Sequence, residues 1–113
     1  MLTVENLKAW GANTEDGLRR CMNNEAFYLK LADKAARDPS FGRLKEALEA
    51  KDLDAAFDLA HALKGVTANL ALTPVYRPVE QMTELLRGRT DTDYSPFLAE
   101  METQRSALLA LMG

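Results

Sequence analysis

The sequence has one cysteine, one histidine and no apolar run near the roughly 18 residues that a membrane span needs. The single cysteine, Cys21, forms no intramolecular disulfide and makes no zinc site on its own, which favours a reducing compartment. There is no excess of positive charge either: 14 basic and 17 acidic residues give a formal net charge of −3. Because nucleic acids and anionic membranes attract basic surfaces, we predict neither as a ligand.

Two targeting and binding motifs are also missing. The N-terminus, MLTVENLKAW, has no basic start followed by an apolar run, so it does not resemble a secretory signal peptide. No glycine-rich phosphate loop is present, so we do not expect ATP binding. We expect a cytoplasmic chain. Its 113 residues, 47% of them hydrophobic, are predicted to form one standalone domain over residues 1–113 with a core of its own.

The apolar residues recur with helical spacing along the chain, and no alternating strand pattern is sustained. The spacing predicts short helices over 3–10 and 15–22, then longer helices over 25–37, 41–50, 53–72 and 74–87, and a last one from 96 to the C-terminus. We predict helix caps at Thr14, Asn24, Asp52, Thr73 and Ser95. The predicted fold is all-α, an up-down antiparallel four-helix bundle with short N-terminal helices.

The helix predicted over 53–72 has the strongest pattern in the chain. Its core-facing seam is predicted to consist of Leu53, Ala56, Ala60, Leu63, Thr67 and Leu70, widened on one side by Leu59 and Val66. At about 100° per residue, His61 lies roughly 150° from the centre of this apolar arc. The only histidine of the chain is therefore predicted to point to solvent.

The neighbours of His61 on the same helix suggest a chemistry. The residues predicted to share or flank its face are Asp54, Asp58, Lys64, Gly65, Ala68 and Asn69. A glycine inside an exposed helix costs roughly 1 kcal/mol relative to alanine, so Gly65 indicates close approach of another protein's backbone. An exposed imidazole nitrogen can act as a nucleophile toward phosphorus. The nearby Lys64 ammonium would stabilise the charged oxygens of a phosphoryl group on His61.

Other interpretations of these residues stay open. A lone histidine is more often an ordinary surface or core residue than a nucleophile. A metal site is not expected, because one histidine and two distant aspartates are too few ligands. A serine or cysteine nucleophile is not expected, because neither residue occurs in a recognisable catalytic motif. Trp10, Phe27 and Tyr28 are interpreted as packing residues rather than a ligand cage.

The run His61-Ala62-Leu63-Lys64-Gly65, continued by Ala68-Asn69-Leu70, resembles the motif of histidine-containing phosphotransfer (HPt) domains. That motif reads H-x-L-K-G, followed by small residues and often N-L-G. The similarity in helix order and length extends over most of the chain. The resemblance implies an up-down four-helix bundle in which His61 lies exposed midway along one helix.

The resemblance also implies a function. His61 would exchange a phosphoryl group with an aspartate in the receiver domain of a response regulator or hybrid histidine kinase, and Lys64 would stabilise the phosphoryl oxygens. Gly65 would clear space for the receiver, and Ala68, Asn69 and Asp58 are predicted to lie at the docking surface. The Mg²⁺ ion of the transfer would belong to the receiver, so we expect no cofactor here. We predict a monomeric phosphorelay carrier without autonomous turnover.

Two positions raise questions about this resemblance. Ala71 stands where many HPt members carry glycine, and we expect a slight effect on docking or packing. Asp54 and Asp58 could repel a phosphoryl group, or one of them could hold the imidazole in one tautomer.

Two other functions are also considered. The first is a non-catalytic helical module that binds a receiver domain or another signalling partner. The second, the phosphorylatable domain of a histidine kinase, is weaker because no ATP-binding domain is present.

Overall fold

The computed structural model describes all 113 residues, and they fold into seven α-helices with no β-strand. The helices are α1 (Val4–Trp10), α2 (Thr14–Arg20), α3 (Glu25–Ala36), α4 (Ser40–Glu49), α5 (Leu53–Asn69), α6 (Thr73–Arg87) and α7 (Ser95–Leu111). This confirms the predicted all-α class. No helix combines the length and apolar character that crossing a bilayer requires.

Helices α4 to α7 form the four-helix bundle. The most extensive contacts join consecutive helices, α4 with α5, α5 with α6 and α6 with α7. Short connections of this kind make neighbouring helices antiparallel. Side chains from all four helices and from the α6–α7 loop meet in one apolar cluster: Phe41, Leu44, Ala56, Ala60, Leu63, Val75, Val79, Met82, Leu86, Tyr94 and Met101.

Helices α1 to α3 form an N-terminal layer that closes one end of the bundle. They share a second apolar cluster with the α5–α6 turn and α7: Leu7, Ala12, Cys21, Tyr28, Ala32, Ala35, Ala36, Leu70, Leu72 and Leu108. Polar contacts tie the layer down. The Tyr28 hydroxyl donates to the Leu70 carbonyl at 2.9 Å, and the Trp10 indole N–H donates to the Gln104 carbonyl at 3.1 Å. The N-terminal layer is therefore anchored both to the end of α5 and to α7.

The predicted helix caps are partly correct. Asn24 and Asp52 cap α3 and α5 with their side chains, as predicted. The prediction for Thr14 is wrong, because the side chain of Asn13 accepts the Asp16 N–H and Thr14 is already helical and buried. Thr73 and Ser95 are likewise the first helical residues rather than caps. Each helix therefore begins one residue earlier than predicted, and the proline is still within the first turn, where its missing N–H is tolerated.

Helix α5 ends at Asn69, three residues before the predicted boundary. The cause is Ala71, whose φ of 55° lies in the left-handed region and stops the helix. A left-handed conformation costs an L-residue about 1–2 kcal/mol, a cost that glycine avoids and Ala71 does not. The Ala71 carbonyl accepts the Asn13 N–H at 3.0 Å, so the turn is also held by the N-terminal layer.

Two residues predicted to be buried are exposed. Phe27 is 43% exposed, because the inward face of α3 is formed by Tyr28, Ala32 and Ala35, and Phe27 lies one residue away from it. Val66 is 37% exposed, and the buried face of α5 is correspondingly narrower than predicted.

Candidate functional site

His61 lies midway along α5, between the core residues Ala60 and Leu63. The buried residues of this helix are Ala56, Ala60, Leu63 and Thr67, each at most 1% exposed. His61 lies on the opposite side and is exposed. The Asp52 cap fixes the start of α5, and the buried face of α5 packs in the core. The His61 imidazole therefore projects from a rigid helix.

Small and polar residues continue the exposed side of α5 toward its C-terminus. We call His61, Gly65, Ala68 and Asn69 the outward ridge, and all four are exposed. A Cβ atom built on Gly65 would meet no atom within 4 Å. No packing inside the molecule therefore requires a glycine there, and the space next to His61 is open to a second protein.

Lys64 lies on the α6 side of the outward ridge. Its Nζ is 3.6 Å from Glu84 Oε2, and the same carboxylate oxygen lies 3.2 Å from Arg87. The hydrogen bond from Arg87, helped by the charge of Lys64, holds the pKa of Glu84 below its usual value. Glu84 is therefore ionised at neutral pH and keeps the Lys64 ammonium beside the ridge.

An aromatic ring lies next to His61 on the same flank. Phe57, one turn before His61, stacks on the imidazole with the ring centroids 5.6 Å apart and the planes at 21°. The guanidinium carbons of Arg89 and Arg87 lie 4.7 and 5.3 Å from the centroid of the Phe57 ring. The prediction of the site from sequence missed these three residues. Phe57 is four residues before His61, a spacing that could have identified it, but Arg87 ends α6 and Arg89 lies in the loop that follows.

The two aspartates that precede His61 have different surroundings. Asp54 pairs with Arg89 at 2.6 Å, so its charge is compensated. Asp58 is exposed. No hydrogen bond joins either carboxylate to His61, so the geometry gives no support to a tautomer-holding role for them.

The C-terminal end of the outward ridge is reached by the N-terminal layer. Asn69 Oδ1 accepts a hydrogen bond from Arg20 of α2 at 3.4 Å, and Arg20 is also paired with Asp16. The structure thus brings His61, Lys64, Gly65, Ala68 and Asn69 onto one continuous surface. No three histidine, cysteine, aspartate or glutamate side chains come together in a way that could hold a metal ion.

A comparison with known proteins gives one match. A family model described as the Hpt domain matches residues 38–111, more than half of the chain. The matched residues include α4 to α7 and the whole outward ridge, and α1 to α3 lie outside them. Neither the curated proteins nor the solved structures give a significant match.

Proposed function

This chain belongs to the Hpt domain family, and we propose that it carries a phosphoryl group on His61 between receiver-domain aspartates of a two-component phosphorelay. Hpt domains are phosphotransfer carriers rather than enzymes in the usual sense. The observation that carries the proposal is the exposed His61 in the middle of a rigid bundle helix, with open space at Gly65 one turn along.

In the proposed step, a neutral imidazole nitrogen of His61 attacks the phosphorus of a receiver's aspartyl phosphate. A nitrogen–phosphorus bond forms while the phosphorus–oxygen bond to the aspartate breaks, and that electron pair stays on the carboxylate. The proton on the other ring nitrogen can leave to water. Transfer to a second receiver reverses these bond changes, so no net oxidation or reduction takes place.

The residues around His61 have separate proposed roles. Lys64 would turn from Glu84 toward the phosphoryl oxygens, because an ammonium stabilises the charge that they carry. Gly65 would let the receiver's backbone approach, and Ala68, Asn69 and Asp58 would form the rest of the docking surface. The Mg²⁺ ion of the reaction belongs to the receiver in this proposal, and this chain uses no cofactor of its own.

The proposed partner is the receiver domain of a response regulator or a hybrid histidine kinase, and the proposed carrier is a cytoplasmic monomer.

The first test is intact-mass analysis after incubation with phosphoramidate or with a panel of phosphorylated receiver domains. We expect one added phosphoryl group that is labile to acid and absent from His61→Gln. Circular dichroism of the variant controls for folding, since the exposed position predicts little change in stability. Equal labelling of His61→Gln would rule out His61 as the acceptor. A folded wild-type protein that binds receivers but takes no phosphoryl group would instead be a non-catalytic binding module.

A further inference from the structure

We propose that Phe57 is a positioning residue, which holds the His61 imidazole in the orientation from which it reacts. This inference rests on the proposed function of His61. The motivating observation is the stacked pair itself, in which two rings one turn apart lie 5.6 Å from each other at an angle of 21°. The pair lies on the α6 flank of the outward ridge, beside the open space at Gly65.

Phe57 can hold another ring because it is itself held. Its side chain is half-buried and packs against the apolar core of the bundle. The guanidinium groups of Arg89 and Arg87 lie over its ring at 4.7 and 5.3 Å, within the range of cation–π attraction. The ring is therefore in contact with the core, with two cations and with His61.

Arg89 is fixed in turn by two further contacts. Its Nε is 2.6 Å from Asp54, and a second guanidinium nitrogen donates to the Leu86 carbonyl at 2.7 Å. The start of the α6–α7 loop is thereby joined to α5 at Asp54 and at Phe57. These contacts extend from the bundle core to the imidazole, and apart from His61 itself they involve no residue of the His61–Gly65 motif.

Positioning matters here because an exposed histidine otherwise samples several rotamers. Transfer requires the reacting nitrogen, the phosphorus and the leaving oxygen to lie nearly in line, and only part of the rotamer population meets that condition. A stacked ring restricts the imidazole and leaves its outer edge accessible. An aromatic pair of this kind corresponds to a factor of roughly 2 to 10 in rate or population.

The test compares Phe57→Leu and Phe57→Tyr with wild type, and uses Phe27→Leu as the matched control at an exposed phenylalanine on α3. Labelling by phosphoramidate reports the reactivity of His61 without any need for receiver docking. We expect Phe57→Leu to lower the maximal labelling rate about three- to tenfold and to leave the half-saturating donor concentration unchanged. Phe57→Tyr keeps the stacking ring, so its labelling rate should stay within about twofold of the wild-type rate. Phe27→Leu should have no effect on the rate.

A second readout is independent of phosphoryl transfer. The ring protons of His61 should show a ring-current shift in the NMR spectrum that is lost in Phe57→Leu and kept in Phe57→Tyr. An unchanged shift in Phe57→Leu would refute the stack in solution. Thermal unfolding of each variant separates a loss of folding from a loss of positioning.

The two proposals fail in different ways. A wild-type protein that takes no phosphoryl group from any donor would overturn the function of His61 and any role of Phe57 in it. A wild-type protein labelled at His61, with Phe57→Leu labelled equally fast, would overturn the positioning role alone. A Phe57→Tyr variant as slow as Phe57→Leu would also contradict it, because tyrosine keeps the stacking ring.

Discussion

Helix α5 carries small residues on both of its faces, and the two sets differ in what approaches them. Ala56 and Ala60 on the inward face have no exposed surface, because neighbouring helices of the bundle already lie against them. Gly65 and Ala68 on the outward ridge are exposed, and a Cβ atom on Gly65 would touch nothing. A small side chain lets another backbone come close in either case. Inside, that backbone belongs to the same chain; outside, we propose that it belongs to a receiver domain.

A small side chain on α5 therefore does not by itself show whether that position packs against a helix of the same chain or docks another protein. Replacing a small residue by leucine should therefore affect different properties on the two faces. On the inward face it should reduce stability, and on the outward ridge it should reduce transfer.

The largest effect is expected for Ala60→Leu on the inward face. The added carbons have no space in a core position with no exposed surface, so the free energy of unfolding should fall by about 3 kcal/mol. Urea unfolding measures this directly. The part of the sample that remains folded should still be labelled at His61. A stability equal to that of wild type would show that the core around Ala60 is loosely packed. It would contradict the proposed difference between the inward face of α5 and the outward ridge.

Gly65→Leu is the matched change on the outward ridge. Transfer from a phosphorylated receiver should slow at least tenfold, because the side chain occupies the space proposed for the partner's backbone. The free energy of unfolding should stay the same or rise by up to about 1 kcal/mol, since leucine favours the helix more than glycine does. Labelling by phosphoramidate should be nearly unchanged.

Gly42→Leu on α4 is the control for Gly65→Leu, because Gly42 is also exposed and also has open space at its Cβ position. It should transfer at the wild-type rate. If Gly65→Leu also transferred from a receiver at the wild-type rate, the docking account of this glycine would be wrong.

Lys64→Ala tests the electrostatic role of Lys64, which lies between the inward face of α5 and the outward ridge. Transfer should slow roughly three- to tenfold from both donors, because the phosphoryl oxygens lose a nearby positive charge, and folding should change little. Glu84→Gln is the informative partner variant. It removes the carboxylate that holds Lys64 at 3.6 Å and should not slow transfer. Stopped-flow or gel-based rates for both variants measure this, and undiminished transfer in Lys64→Ala would remove its electrostatic role.

The smallest effect concerns Tyr28 of α3, whose hydroxyl donates to the Leu70 carbonyl at the end of α5. Burial raises the pKa of Tyr28 to about 12, from an ordinary value near 10. A group whose pKa is raised on folding stabilises the protein fully below the unfolded pKa and loses that contribution as the pH rises through the folded pKa. Stability should therefore fall between pH 10 and 12, by about 1 kcal/mol at pH 11.

Urea unfolding at pH 9 and pH 11 measures this loss. Tyr28→Phe is expected to be less stable at both values, because the Leu70 carbonyl loses its hydrogen-bond donor, but to show a smaller difference between them. An equal difference in the wild type and in Tyr28→Phe would assign the alkaline loss to other groups.

Much of the fold was predictable because helical periodicity is a local property. The apolar spacing in α5 places His61 opposite the buried seam, and the structure has it exposed. The helix ends were less predictable. Thr73 and Ser95 have side chains that suit a cap, but each is the first residue of its helix, and neither helix has a side-chain cap. Ala71 ends α5 early through a backbone conformation that its side chain does not favour.

The roles of the site residues remain predictions, and the structure adds neighbours that the sequence did not suggest. Phe57 precedes His61 by one helical turn, and that spacing was a usable signal. Its cationic neighbours could not be predicted, because Arg87 at the end of α6 and Arg89 just after it lie about thirty residues later in the chain. Arg20 is further still from Asn69 in sequence, and only the packing of α2 against the end of α5 brings them together.

The sequence by itself therefore determined the helical class, the buried and exposed sides of α5, and the grouping of His61, Lys64 and Gly65 on neighbouring turns. All of these follow from 3.6 residues per turn and from the burial of apolar side chains. Only the tertiary structure decided which groups surround that motif: Glu84 beside Lys64, the arginines over Phe57, and the open space at Gly65. The physical reason is that contacts between helices depend on how the helices pack against one another, which the spacing within a single helix does not specify.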